Sequence, residues 1–270
     1  MVDFTVTPER AALINVDMQN LFVEGYWPSA PDGLVVLDRI NRLASVCRQA
    51  GILVIHASHV LRPDLSNIGV LGEVVPQVRD GIITKGSESA ALHKGLVIGP
   101  DDVLLEKPRF GAFHGTDLEM ILRTRGIDTV IISGIATNVC CETTAREAMV
   151  RDFRVLFLSD GTATSGMGNA TADELQKATL ATLGAVFAQV LTVDQVIQKI
   201  RSGVRCSSRS NKPPSRGAIF GSSNPTATIS WQRSTMRETL LRLRPSHGSR
   251  PTTIRITSWN CCLTHLRMAY

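Results

Sequence analysis

The 270-residue sequence has no apolar run near the ~18 residues that a membrane-spanning helix needs, which argues against a helical membrane protein. Its first residues, Met1-Val-Asp-Phe-Thr-Val, hold neither a basic stretch nor an apolar block of the secretory kind. A cytoplasmic protein with no membrane partner is expected. Six cysteines, at 47, 140, 141, 206, 261 and 262, form two adjacent pairs and two singles that match no zinc or disulfide spacing. Reduced thiols are the expectation. The dinucleotide glycine fingerprint is also missing. Asp17-Met-Gln-Asn follows the first apolar run where Gly-x-Gly-x-x-Gly would stand, so a nicotinamide cofactor is excluded and no other cofactor is expected.

What is present divides in two. Composition is that of a globular chain, 43% apolar and 20% charged, with a formal charge of +5. Residues 201–270 hold 11 Arg, one Lys and a single acid, Glu238, so this tail carries +11 and residues 1–200 carry −6. The tail is rich in Ser, Thr, Arg, Pro and Asn and keeps no period for long, save for a helical turn or two over Met236–Leu243. Residues 201–270 are read as a mostly disordered segment resembling out-of-frame or read-through sequence. Nucleic-acid binding by a basic arm is the weaker alternative, because arginine richness alone specifies little. The first domain is placed at 1–200.

Within 1–200, short apolar runs alternate with helical periods. The runs are 12–17, 52–56, 102–107, 129–134, 153–160 and 188–193; the helical stretches are 35–50, 117–125, 140–150 and 173–187. Near-continuous apolar strands separated by helices predict a parallel sheet covered on both faces. The fold class is therefore α/β, a three-layer Rossmann-like arrangement with six parallel strands. In such sheets ligands bind beyond the carboxyl ends of the strands. Asp17, Lys107 and Cys140 lie at or just past three of those ends. A carboxylate, an amine and a thiol are the parts of a nucleophilic site. A thiol at a helix start meets unpaired N–H groups and a positive dipole end, and with a nearby lysine this favours thiolate. The bland reading of each residue is a buried cysteine, a turn-forming aspartate and a surface lysine, and spacing alone leaves the matter open.

Three stretches shift the balance. Ala12-Leu-Ile-Asn-Val-Asp-Met-Gln-Asn, Glu106-Lys-Pro-Arg-Phe-Gly-Ala-Phe and Gly134-Ile-Ala-Thr-Asn-Val-Cys-Cys-Glu-Thr-Thr-Ala-Arg-Glu-Ala together resemble the motifs of the isochorismatase-like cysteine hydrolases, in their order and over roughly residues 8–197. The resemblance implies Asp17 as general base, Lys107 as catalytic lysine and Cys140 as nucleophile. It sets Ile135–Ala136 at a non-proline cis peptide, with the Ala136 and Cys140 N–H groups facing the oxyanion. Cys141 lies about 100° around the helix from Cys140 and is given to packing, as is the valine many relatives carry there.

The resemblance also implies a small-molecule amide substrate and a homo-oligomer. An intact Asp–Lys–Cys set points to an amidase rather than to the vinyl-ether chemistry of the isochorismatase branch. Lys107-Pro-Arg-Phe with Ile135-Ala-Thr-Asn-Val-Cys is most similar to ureidoacrylate and N-carbamoyl amidohydrolases, although the connection between the second and third strands differs. The nicotinamidase branch carries a metal on an Asp-x-His-x-x-x-His pattern. This chain reads His56-Ala-Ser-His59-Val-Leu-Arg-Pro-Asp64 instead, and His56 and His59 on one strand would point to opposite faces, so no metal is expected and the two read as core or pocket histidines. Phe22, Trp27, Phe113, His114 and Asn138 are candidate substrate contacts, core packing being the competing role for the aromatics. Two further readings stand: a nicotinamidase-like or isochorismatase-like hydrolase, and a catalytically idle relative acting as an oligomer scaffold.

Overall fold

The computed structural model describes residues 2–25, 28–210, 239–243 and 252–256. The first strand, β1 (Ala11–Val16), is buried along its whole length. Alternate side chains feed opposite faces of a sheet, and here both faces are covered. Ala12, Ile14 and Val16 enter one apolar cluster and Ala11 and Leu13 another. A one-turn helix α1 (Asn20–Val23) precedes α2 (Gly33–Ala50), which is followed by β2 (Leu53–His59). Val36, Leu37, Ile40, Leu43, Ala44 and Cys47 form the buried stripe of α2, and Gly51, with φ of 79°, ends it in the left-handed region. Burial pushes the Cys47 thiol up to about 12.

A long connection containing α3 (Leu71–Val74) leads to β3 (Val103–Lys107), and α4 (Leu118–Thr124) leads on to β4 (Thr129–Ile135). Then come α5 (Glu142–Met149), β5 (Arg154–Ala163), α6 (Ala172–Val186), β6 (Gln189–Leu191) and α7 (Val193–Ser210). A reciprocal capping box between Thr171 and Glu174 starts α6. The six strands pair in the order β3-β2-β1-β4-β5-β6, every neighbour parallel. Helices α4, α5 and α6 pack on one face and α2 and α7 on the other. This is the three-layer α/β architecture that the apolar runs predict.

The order fixes where a ligand can sit. The first three strands step outward from β1 to β3, and the chain then returns to the far side of β1 to lay down β4. Strand order therefore reverses between β1 and β4, and beyond the carboxyl ends at such a switch point is where an open sheet takes its ligand.

Helix α7 was not foreseen. Val193, Val196, Ile197 and Ile200 are its buried stripe, and the apolar period ends there. The helix nevertheless runs on to Ser210, across the expected boundary at 200. Gly203 does not break it, and a Cβ there would lie 2.6 Å from the Val6 carbonyl oxygen. The chain divides into compact units at Lys212/Pro213. In the second unit, β7 (Thr239–Leu243) and β8 (Thr252–Ile256) pair antiparallel. A strand thus stands where a helical turn was expected over Met236–Leu243: an isolated turn pays nucleation without neighbours to repay it, whereas a strand gains its bonds from the partner. The rest of the expected disorder falls outside the described residues. Among those described, no helix is long and apolar enough to cross a membrane.

Candidate active site

Asp17 leaves the end of β1 with φ of 52°, a left-handed turn that an aspartate tolerates better than most residues. Its N–H donates to the Ala57 carbonyl at 2.7 Å, which fixes the turn to β2. Lys107 is the last residue of β3, in register with His59 of β2. Its side chain is wholly buried. The ammonium donates to Asp17 Oδ2 at 2.9 Å and to the Arg109 carbonyl at 3.1 Å. Cys140 comes from a π-helical turn, Thr137–Cys141, that joins β4 to α5. Such turns are common at functional sites. The Ile135–Ala136 peptide before it is cis, at the position the resemblance implies. Thr144 ties the turn to the segment after β3: its hydroxyl donates to the Cys140 carbonyl at 2.7 Å and accepts from the Ala112 N–H at 3.1 Å.

Gly134 is what lets β4 pass β1 beside Asp17. It has φ of 122°, and a Cβ there would lie 2.0 Å from the Val16 carbonyl oxygen. Gly134→Ala is expected to cost about 3 kcal/mol or more through backbone strain and overpacking. Urea denaturation monitored by circular dichroism reads that loss, and activity should fall with it.

The sequence led to Asp17, Lys107 and Cys140, and read His59 as a core or pocket histidine without placing it beside them. A ring nitrogen of His59, a carboxylate oxygen of Asp17 and the Cys140 sulfur all lie within 4.8 Å of one another, and all three residues are buried. Among the described residues, Asp17 Oδ1 and His59 Nε2 have no hydrogen-bond partner. Both are buried polar atoms that need one. The His59 backbone is clamped by the Gln19 amide, which accepts from the His59 N–H at 2.8 Å and donates to its carbonyl at 3.1 Å. The ring meets Phe110 edge-on, centroids 5.7 Å apart. The usable signal was position: β2 runs three residues beyond the expected His56, which puts His59 at the carboxyl end of its strand, beside Asp17 and Cys140.

His56 serves elsewhere. Its Nε2 lies 2.9 Å from Asp102, which also pairs with Arg48, and its Nδ1 lies 3.3 Å from the Asn15 amide. The two histidines of β2 therefore do not share a site.

Burial governs the electrostatics. It pushes the Cys140 thiol well above the usual range, helped by the Asp17 charge and opposed by Lys107. That reverses the expected thiolate: a fully desolvated sulfur outweighs a nearby ammonium and a helix start. Burial likewise raises the Asp17 carboxyl, against the pull of Lys107. For Lys107 burial acts downward, but the Asp17 charge and the neighbouring thiols more than offset it, and the ammonium is retained. Burial, with Lys107 adding to it, holds the His59 imidazole down to about 3, so it is neutral. The resting site is thus a thiol, a basic carboxylate braced by an ammonium, and a neutral imidazole.

Cys141 turns away, its sulfur 3.7 Å from the Ser133 carbonyl. The substrate candidates are scattered. Phe113 is a core residue, its ring 5.8 Å from that of Phe153. Phe22 is half-buried between two apolar clusters, and His114 is exposed. Asn138 accepts from the Thr164 hydroxyl at 2.6 Å and reaches Met167 with its amide nitrogen. Trp27 lies outside the described residues. None of the four described is hydrogen-bonded to Asp17, Lys107, Cys140 or His59.

Comparison with known proteins bears on this arrangement. Residues 11–195 match the isochorismatase domain. The chain is 37% identical over 188 residues to nicotinamidase 3 of Arabidopsis thaliana, covering 69% of this chain and 86% of that protein. It is 34% identical over 177 residues to the ureidoacrylate amidohydrolase RutB of Methylorubrum extorquens, covering 58% and 71%. A crystal structure of a cysteine hydrolase from Pseudomonas syringae pv. phaseolicola superposes with a TM-score of 0.72 at 34% identity, covering 75% of this chain and 97% of that one.

Proposed function

The chain belongs to the isochorismatase family, and from that premise we propose that it is a cysteine hydrolase of non-peptide C–N bonds, acting on a small ureido, N-carbamoyl or amide compound through a thioester. One observation carries the reading: a thiol, a carboxylate and an ammonium from three distant stretches meet in one buried site.

The division of labour follows from the hydrogen bonds. Lys107 occupies Asp17 Oδ2, so Oδ1 is the oxygen free to take a proton. Asp17 accepts the Cys140 S–H proton as sulfur attacks the carbonyl carbon, and the oxyanion is held by the Ala136 and Cys140 N–H groups. When the C–N bond breaks, Asp17 returns that proton to the leaving nitrogen, giving a thioester and a free amine or ammonia. A water then loses its proton to Asp17 and attacks the thioester carbon. The acid leaves, and the sulfur recovers the proton. Lys107 keeps its charge throughout and offsets the negative charge that passes between carboxylate, sulfur and oxyanion. A raised thiol suits this order of events, because the nucleophile is made only when the base acts.

The pH profile tests the base. Protonated Asp17 cannot accept the thiol proton, so kcat/KM falls as pH drops through the carboxyl's own value. Burial raises that value, and the acid limb should lie above the ~4 of an ordinary aspartate. A limb at or below that range, with a substrate that does not titrate there, removes Asp17 from the role.

The substrate test is ammonia release over ureido acids, carbamoyl amino acids, biuret, nicotinamide and simple amides. Turnover of a ureido or carbamoyl compound supports the reading. Turnover of nicotinamide alone moves the chain to the branch of its plant relative, and silence across the panel favours the idle-scaffold reading. We assign the chemistry to the first domain, in a cytoplasmic homo-oligomer, and none of it to the basic tail. Ending the chain after Lys212, beyond α7, should leave kcat/KM within about twofold, a surface-scale effect, as steady-state assays will read.

A further inference from the structure

We propose that Cys140, His59 and Asp17 together bind a thiophilic divalent cation of the zinc class, and that its occupancy silences the nucleophile. Zinc takes thiolate, imidazole and carboxylate in four-coordinate sites, with a fourth position open to water when the protein gives three ligands. Those three donor types converge here within 4.8 Å of one another. Ligands at usual zinc bond lengths stand roughly 3.3–3.8 Å apart, so closing on an ion needs a movement of little more than an ångström.

Unsatisfied polar atoms in the same place point to a ligand as well. His59 Nε2 and Asp17 Oδ1 are buried and without partners among the described residues, and they come from the same two residues that converge on the sulfur. The supporting contacts are of the kind that orient metal ligands. Lys107 holds the other Asp17 oxygen, and Gln19 clamps the His59 backbone from both sides.

The Lys107 ammonium opposes a cation, and it sets the balance. With the thiol ionised, the carboxylate and thiolate carry two negative charges against that one positive. At rest, with the thiol protonated, carboxylate and ammonium cancel, and the second negative charge appears only as the ion displaces the S–H proton. Binding exchanges the S–H proton for the metal: the S–H bond breaks, a sulfur–metal bond forms and the proton leaves to solvent. A sulfur and an imidazole prefer zinc, cadmium or cobalt(II) to magnesium or calcium. Ion binding itself is independent of the amidase reading, whereas the silencing rests on it.

The test titrates the full chain with cobalt(II), anaerobically, and reads absorption. A thiolate-to-cobalt charge-transfer band and visible d–d bands should grow to one ion per chain, vanish in Cys140→Ala and weaken at least about tenfold in His59→Gln. Zinc should abolish turnover, EDTA should restore it, and magnesium should do neither. No charge-transfer band, a band that survives Cys140→Ala, or cobalt affinity unchanged in His59→Gln overturns the proposal. Should His59→Gln fail to fold, as judged by circular dichroism, His59→Asn takes its place under the same criteria. Cobalt binding in an enzyme with no amide turnover would sink the amidase reading and leave the site standing.

Discussion

Cys140→Ala is expected to lower kcat/KM by about 10⁴-fold or more, to the background that binding and backbone donors alone sustain, with the fold unchanged. The substitution removes one sulfur from a turn whose backbone is fastened separately. The Cys140 carbonyl still accepts from Thr144, and the Ala136 carbonyl still accepts from the Val139 and Cys141 N–H groups. Stopped assays with a substrate found in the ammonia screen, beside thermal melts, separate the two effects. Retained turnover at a tenth of the parent rate would mean that another group attacks the carbon. Cys141 is no substitute, since its sulfur faces Ser133 on the sheet side. Cys140→Ser should be nearly as poor, because a hydroxyl is the weaker acid and burial already opposes ionisation at this spot.

The second large effect concerns the Asp17–Lys107 pair, where stability and activity should part company. Both side chains are fully buried. Removing one partner leaves a desolvated charge, a change that typically costs about 3–5 kcal/mol. Lys107→Met is therefore expected to lower Tm by roughly 6–20 °C for a domain of this size and to abolish turnover. Asp17→Asn should do likewise. The double variant removes both charges, and replacing a buried ion pair by neutral groups is often near neutral. It should regain most of the lost Tm while remaining inactive. Calorimetry and the same assay check this. A double variant no more stable than either single one would show that the pair is not the coupled unit described here. Recovery of activity in the double variant would remove both residues from the chemistry.

The sheet was legible because its central strands β1, β2 and β4 are buried along nearly their whole length and read as unbroken apolar runs. Nothing in those runs reveals strand order, which comes from how crossovers pack. The switch point between β1 and β4 therefore needed the fold. Asp17, Lys107 and Cys140 were legible through three motifs taken together, not through any one residue's setting. Their protonation was not, since a thiol's desolvation depends on the layers above and below it. His56 and His59 read alike as core or pocket histidines on opposite faces of one strand; the structure puts His56 with Asp102 and Asn15 and His59 beside Asp17 and Cys140, a division that depends on what packs against each face. The apolar period also ends at Ile200, and it was the boundary of the pattern, not of the helix, that the sequence revealed.

Lys107 sits on the margin of the sheet. Strand β3 has β2 as its single neighbour, while Asp17 and Cys140 extend from the two strands at the middle. Margins open locally before the interior melts. Warming should therefore detach the ammonium first, in a reversible loss of function at temperatures where helix content is still complete. An enzyme built this way loses its chemistry by peeling, and hydrogen exchange in residues 103–107 should run ahead of that in 11–16 and 129–135.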